Sequence, residues 1–328
     1  MAKESNPFVA QLKHKDVSIR RKAVRTLFEL DDPHNLEAFH FLLNDRDSWF
    51  RSKALEAHKM WASKIGIESL EFLAGHKSID AKRCAANLLE EFNEDTTEIA
   101  KILFDFDDKI CQIKASKALI KFDKDGTYTR KLLSSENEKI MSIALTSEKI
   151  TKQQLLESLQ KKSINVKNVA LSRLYFYNHD IKDQVLIELF SQGVEGKEII
   201  PFAINNASNC LIKLAKSNNS KIIKKLVSEL RNKFTSTEEP VIKLLIDNNC
   251  HIVLGRWLQG RRDPRSDELR WEIIENEEVD EIERSRLLER LLGRTDEEEI
   301  KIKAESLLKS TNSELLKIIA HNLSTAGD

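Results

Sequence analysis

Five arginines and two tryptophans fall within sixteen residues of this chain, in the stretch Gly255-Arg256-Trp257-Leu258-Gln259-Gly260-Arg261-Arg262-Asp263-Pro264-Arg265-Ser266-Asp267-Glu268-Leu269-Arg270-Trp271. Guanidinium groups make forked contacts with carboxylates and phosphates and stack on aromatic rings, which lysine does not reproduce. Arg and Trp are also the residue types enriched where binding energy concentrates. Arg256, Trp257, Arg261, Arg262, Arg265 and Arg270 are therefore candidate partner-binding residues. A structural reading competes with this one. The arginines could pair with Asp263, Asp267, Glu268 and the acidic run 272–283, with both tryptophans in the core.

A second basic feature lies upstream. The formal net charge is zero, but residues 151–235 carry a net +7 and residues 236–328 a net −7. The densest basic part is Lys213-Leu-Ala-Lys216 followed by Lys221-Ile-Ile-Lys224-Lys225. A lysine face of this kind can follow a phosphate backbone, so Lys213, Lys216, Lys221, Lys224 and Lys225 are candidate nucleic-acid contacts. It can also be a solvated helix face, or dock against the acidic third.

Little else in the sequence suggests chemistry. None of the eight histidines has HxxxH or HxH spacing, and the glycine-rich phosphate loops and the GxSxG elbow are missing. His58, near Trp61, is expected to be packed rather than catalytic. The four cysteines, Cys84, Cys111, Cys210 and Cys250, have no CxxC spacing and indicate neither a zinc site nor a disulfide framework. We expect no catalytic residues, no cofactor, no metal and no small-molecule substrate. No apolar run approaches the ~18 residues that span a bilayer, and residues 1–6 are polar, so no membrane association and a cytoplasmic location are expected.

The elements that must position these residues are legible from a repeated phrase. It reads Asp16-Val17-Ser18-Ile19-Arg20-Arg21-Lys22-Ala23-Val24-Arg25-Thr26-Leu27, and its central alanine recurs at Ala54, Ala85, Ala115, Ala144 and Ala170. The steps are 31, 31, 30, 29 and 26 residues, a period typical of solenoids whose units must stack to bury their apolar faces. Seven residues before each alanine stands a helix N-cap type: Asp16, Asp47, Ser78, Asp108, Asn137 and Ser163. Four before it come Ile19, Phe50, Ala81, Cys111, Ile140 and Val166, and four after it Leu27, Leu89, Leu119 and Leu174, with His58 and Glu148 as exceptions. That spacing places one apolar face on a capped helix, with a small residue where a neighbouring helix comes close. A shorter apolar helix such as Phe8-Val9-Ala10-Gln11-Leu12 precedes it.

Three residues before the alanines stand Arg20, Arg51, Lys82, Gln112, Met141 and Lys167. The combination Asp, then Val/Ile-Arg/Lys-x-x-Ala-x-x-x-Leu, resembles HEAT repeats of the short-period variety, clearly over 5–122, less so to about 176 and faintly beyond. The resemblance implies an all-α fold, a right-handed α-α superhelix of stacked antiparallel helix pairs. It also implies a ladder of hydrogen bonds between units built from Asp16, Asp47, Asp108, Arg20 and Arg51. We expect HEAT-like repeats over 1–235 and an acidic helical cap over 236–328. The cap should contain helices near 238–247 (started by Ser236), 249–258, 267–276, 279–292, 297–309 and 312–323, with Asp296 opening a phrase in which Ala304 and Leu308 are in register. Turns are expected at 192–197 and 217–220.

HEAT-like DNA glycosylases use a Trp-x-x-x-Asp spacing. Among the tryptophans here, only Trp271 with Glu275 offers a carboxylate at that distance, which makes a glycosylase a minor possibility. Scaffolds of this type mostly bind other molecules. The expectation is a non-enzymatic scaffold for a protein partner, with a nucleic-acid-binding solenoid using 151–235 as the alternative.

Overall fold

A computed structural model of the chain describes residues 6–206, 208–217, 219–294 and 297–325. The fold is all-α, and no strand occurs among the described residues. Two compact units divide the chain, Met1–Arg173 and Leu174–Asp328. The change of charge at 235 falls inside the second unit, whereas the repeat phrase becomes hard to read close to the division. Asn218 and Asp296, which entered the sequence expectations, lie outside the described residues.

The first unit begins with α1 (Pro7–Gln11) and α2 (Val17–Leu30), then a 3₁₀ segment, Pro33–Asn44, and α3 (Ser48–Ile65). It continues through α4 (Ile67–Gly75), α5 (Ile79–Leu88), α6 (Thr97–Asp105), α7 (Lys109–Lys121), α8 (Thr127–Leu133), α9 (Glu138–Ala144), α10 (Lys152–Ser158) and the start of α11 (Ile164–Phe176). Short first helices pair with the phrase-bearing second helices, as in α4 with α5, α6 with α7 and α8 with α9. The second helices α3, α5, α7 and α9 then stack in sequence, which is solenoid packing.

The phrase explains this stacking residue by residue. Ala23, Ala54, Ala85, Ala115, Ala144 and Ala170 are all fully buried. The positions four before them are buried as well, except Ile19, which is 36% exposed. Asp16, Asp47, Asp108 and Asn137 cap their helices by accepting a backbone N–H, and Ser163 Oγ accepts from Val166 at 3.4 Å. Ser78 occupies its cap position without such a bond. Replacing Ala54 and Ala85 by leucine is expected to push neighbouring helices apart and cost ~1–3 kcal/mol each. Unchanged urea midpoints for both variants would show that these alanines are not at helix–helix contacts.

The expected ladder exists in a shifted register. Arg21 donates to Asp47 at 3.0 Å and Arg83 forks onto Asp108, with its shortest contact at 2.7 Å. The reaching arginine therefore stands two residues before the alanine, not three. Arg20 pairs with Asp45, Arg51 donates to the Asp45 and Arg46 carbonyls at 2.8 Å, and Asp16 only caps. Two residues before the alanine is the register that reaches the next unit's N-cap aspartate, whereas Arg20, three before it, crosses to Asp45 in the loop ahead of that cap. Around the first repeats, Phe28, Phe39 and Trp61 pack ring to ring at 5.3–5.6 Å, and Trp61 Nε1 donates to Asp31 at 2.7 Å.

The second unit carries α12 (Asp183–Ser191), α13 (Gly196–Asn205), α14 (Asn209–Ala215), α15 (Ser220–Lys233), α16 (Pro240–Asp247) and α17 (His251–Trp257). These are followed by α18 (Pro264–Glu275), α19 (Glu281–Glu289), α20 (Glu298–Ser310) and α21 (Glu314–Thr325). All six helices expected in 236–328 form. The first starts at Pro240 rather than from a Ser236 cap, because proline suits the first helical position, and Ser236 Oγ instead accepts from Glu238 N at 3.1 Å. Gly193, at φ +90°, makes the expected turn after α12. Here too the helices alternate, with α13, α15, α17, α19 and α21 forming one contacting row. Ala304 is fully buried in α20 and Leu308 half-buried.

Candidate functional site

The row α15–α17–α19 supplies the site. Each of these helices buries one apolar edge, such as Ile223, Leu226, Val227 and Leu230 in α15, and turns the opposite edge outward. The outward positions follow helical spacing: Lys221, Lys224, Ser228 and Arg231 on α15, and Glu283, Arg286 and Arg290 along α19 and its C-cap. Arg256 and Gln259 stand between them, from α17 and the loop after it. Together they line an open groove of about 730 Å³. Among the described residues, six cations line it (Lys221, Lys224, Arg231, Arg256, Arg286 and Arg290), against the one carboxylate of Glu283. Val227 is the single apolar residue among the described residues of its wall, so lysine and arginine stems make most of the rest.

Two of these cations are lysines of the nucleic-acid candidate set and one is an arginine of the partner-binding set. Lys225 lies outside the groove, paired with Glu229 at 2.7 Å. Lys213, in α14, and Lys216, its C-cap, do not line the groove either. Arg231, Arg286 and Arg290 are not among the candidates the sequence points to, since they lie outside the two dense basic stretches. The available signal is that Arg231 follows Lys224 by seven residues, and Arg286 and Arg290 follow Glu283 by three and seven, which keeps each set on one helix edge.

The groove's guanidiniums are held in place from behind. Arg231 donates to Gln259 Oε1 at 2.8 Å and to the Arg256 carbonyl. Arg256 reaches Glu283 at 3.1 Å, and Arg286 reaches the same Oε1 at 2.7 Å. Arg290 donates to the Gly255 carbonyl at 3.3 Å. A Cβ on Gly255 would stand 3.2 Å from Leu287 Cδ1, so glycine lets α17 and α19 come this close. Partial burial lowers the Arg290 pKa, and the charges of Arg231, Arg256 and Arg286 lower it further, opposed by Glu283. Positive charge here exceeds its internal compensation.

Trp257, Arg261, Arg270 and Trp271 of the arginine–tryptophan segment make internal contacts, and two of the candidates need correction. Trp257 is fully buried and Arg270 is 4% exposed, so neither offers a contact surface to a partner. Arg270 donates to the Leu258 carbonyl at 3.1 Å and the Arg261 carbonyl at 2.9 Å, and pairs with Asp267. Its pKa is pushed down to about 10, first by burial and then by Arg294, which leaves it charged at neutral pH. Arg261 stacks on Trp257 at 3.8 Å and donates to the Phe234 and Thr235 carbonyls at 2.7 Å. These guanidiniums serve carbonyls at and just past the ends of α15 and α17, where a helix leaves acceptors in need of donors. Arg262 and Arg265 are exposed, the latter bonded to Glu268 at 2.5 Å. Trp271 is 3% exposed, which denies the Trp271–Glu275 pair the open ring face that a base-handling cleft needs.

Other reactive groups are packed away. The four cysteines are unpaired and buried, and burial pushes the thiols up, to about 11 for Cys84 and about 12 for Cys111 and Cys210. Such thiols are poor nucleophiles. Among the described residues, no group of three or more His, Cys, Asp or Glu side chains is arranged to hold a metal ion, and no helix is long and apolar enough to cross a membrane.

Neither a protein-family model nor a curated protein matches the chain. Among solved structures, the X-ray structure of E. coli YibA is similar over 96% of this chain and 100% of its own, at 10% identity and a TM-score of 0.38. A likeness that loose carries nothing about function.

Proposed function

We propose that this chain is a non-enzymatic, HEAT-like helical scaffold that binds the phosphate backbone of double-stranded nucleic acid along the groove of its second unit. The observation that supports this reading is the lining: six cations from three packed helices, one carboxylate, and a single apolar side chain. A protein partner anchors through apolar and aromatic side chains seated in pockets, and lysine is depleted at the centre of such interfaces. Nucleic-acid interfaces are polar and strongly positive. Among the described residues, the groove also has no aromatic side chain on which unpaired bases could stack, which favours a duplex over a single strand. Contacts of this type position a backbone without reading its sequence. The protein-partner expectation has less support, since its tryptophans are in the core. A cytoplasmic setting suits the four unpaired thiols.

Fluorescence anisotropy with a labelled DNA duplex tests the proposal. If the six cations engage, affinity should fall by up to about 10³-fold between 50 and 200 mM salt. Changing Lys221, Lys224 and Arg286 to Gln should flatten the log–log salt slope by about 2–3, whereas changing Lys213 and Lys216, which lie off the groove, should leave it unaltered. Absence of binding at about 50 mM salt would refute the reading.

A further inference from the structure

The groove contains one feature that a simple basic surface does not need. Glu283, in the first turn of α19, is the only carboxylate among the described residues lining it, and its side chain is just 17% exposed. One of its oxygens, Oε1, accepts from Arg256 on α17 at 3.1 Å and from Arg286 one turn along its own helix at 2.7 Å. Arg231 and Arg290 complete a quartet of guanidiniums from three helices, and the Arg290 pKa is lowered first by burial and then by the charges of Arg231, Arg256 and Arg286, opposed by Glu283. Arg231 and Arg290 spend donors on the Arg256 and Gly255 carbonyls, and Arg231 also on Gln259, which fixes the planes without neutralising any charge. Each guanidinium has five N–H donors, far more in sum than one carboxylate can occupy.

We infer that Glu283 is an internal stand-in for a backbone phosphate: the Arg231–Arg256–Arg286–Arg290 quartet is a phosphate seat, and the carboxylate holds it in shape until a phosphodiester competes for Arg256 and Arg286. This rests on the polyanion reading above. Carboxylate and phosphate present the same kind of charged oxygen acceptor to a forked donor. A phosphodiester offers two such oxygens that reach outward from the ligand, whereas Glu283 offers its Oε1 from within the wall. In the free protein the carboxylate offsets repulsion between Arg256 and Arg286. In the complex it opposes the ligand, so it sets the affinity downward and makes the groove selective for ligands bearing several phosphates in a row.

The test uses the full chain and a labelled DNA duplex with hydroxyl ends, so that only backbone phosphates are offered. Glu283→Gln keeps an acceptor for Arg256 but removes the charge, and should tighten binding about fivefold at low salt. Glu305→Gln makes the same change in net charge on exposed helix surface outside the groove and should alter affinity less than about twofold, because salt screens distant charges. In an Arg256→Gln background the gain from Glu283→Gln should shrink to about twofold, since one of the two contested guanidiniums is gone. If Glu283→Gln melts below the wild type, Glu283→Asp, which withdraws the carboxylate by one methylene, is measured instead, with the same direction expected. Binding by the wild type with no gain from either variant, or a gain that persists undiminished without Arg256, overturns the stand-in and leaves the polyanion reading intact. No binding by the wild type at all removes both.

Discussion

Lowering the pH from 7 to 5 is expected to cost the first unit about 2 kcal/mol of stability through His58 alone. The ring is fully buried, and neither Nδ1 nor Nε2 has a hydrogen-bond partner. It stacks on His40 at 5.2 Å, His40 stacks on Phe72 at 3.8 Å, and the His76 ring lies tilted 6.1 Å from Phe72. Protonation would place a charge among aromatic faces with no acceptor to receive the new N–H. Burial first, then the neighbouring His40 and His76, lower the His58 pKa to about 3. Burial also lowers His40, against the pull of Glu37, and His76, where Lys77 and Lys82 act in the same direction. In the unfolded chain an ordinary histidine titrates near 6.5. A group depressed on folding contributes its stability fully above the unfolded value, and that contribution drains away as pH falls from 6.5 towards 3. His58→Leu restores the residue type that the repeat has at this position in Leu27, Leu89 and Leu119. Urea melts at pH 7 and 5 should show the leucine variant losing about 2 kcal/mol less than the wild type on acidification. Equal losses in the two proteins would mean that His58 is not titrating as a buried neutral ring.

Removing the Arg270 side chain is expected to destabilise the second unit by about 3–5 kcal/mol, the range for breaking a buried charged contact from one side. Arg270→Ala would leave the Arg261 carbonyl without its donor, leave the Leu258 carbonyl with only the Arg261 N–H at 3.1 Å, and take one guanidinium from Asp267, which Arg294 also holds at 2.8 Å. Leu258 is fully buried, so water does not readily replace the lost donor. Arg270→Lys should recover only part of the loss, because an ammonium lacks the planar fork that spans two carbonyls and a carboxylate at once. Arg265→Ala, at 64% side-chain exposure, should leave the melting temperature unchanged. If Arg270→Ala melts like Arg265→Ala, the end of α17 does not depend on these donors.

Much of this architecture was legible because its determinants are local. An N-cap, an apolar residue three positions on, an alanine four further and a leucine four beyond that define a helix face within a dozen residues. Ala23, Ala54 and Ala85 are buried where the pattern places them. Where a determinant reached across units, legibility dropped. Arg20 and Arg21 are adjacent, both positive, and both within reach of an aspartate. Only the orientation of α2 against the next unit assigns Arg20 to Asp45 and Arg21 to Asp47.

The same distinction governs the groove. Composition identified a lysine-rich segment and an arginine-rich segment as separate features, and periodicity set which residues share a helix edge. Lys221, Arg256 and Arg290 lie on three different helices, and no spacing along the chain relates them. Side-by-side packing of α15, α17 and α19 brings them to one wall, with Gly255 permitting the close approach to Leu287. Burial likewise sorted the arginines. Chemically identical guanidiniums at 256 and 270 differ because one meets the open groove while the other meets carbonyls left by a helix end. Helices, caps and stacking period follow from short-range sterics and hydrogen bonding that each segment carries in itself. Which charges stand together, and which are free to meet a ligand, follows from distances between helices, and these exist only once the units have packed.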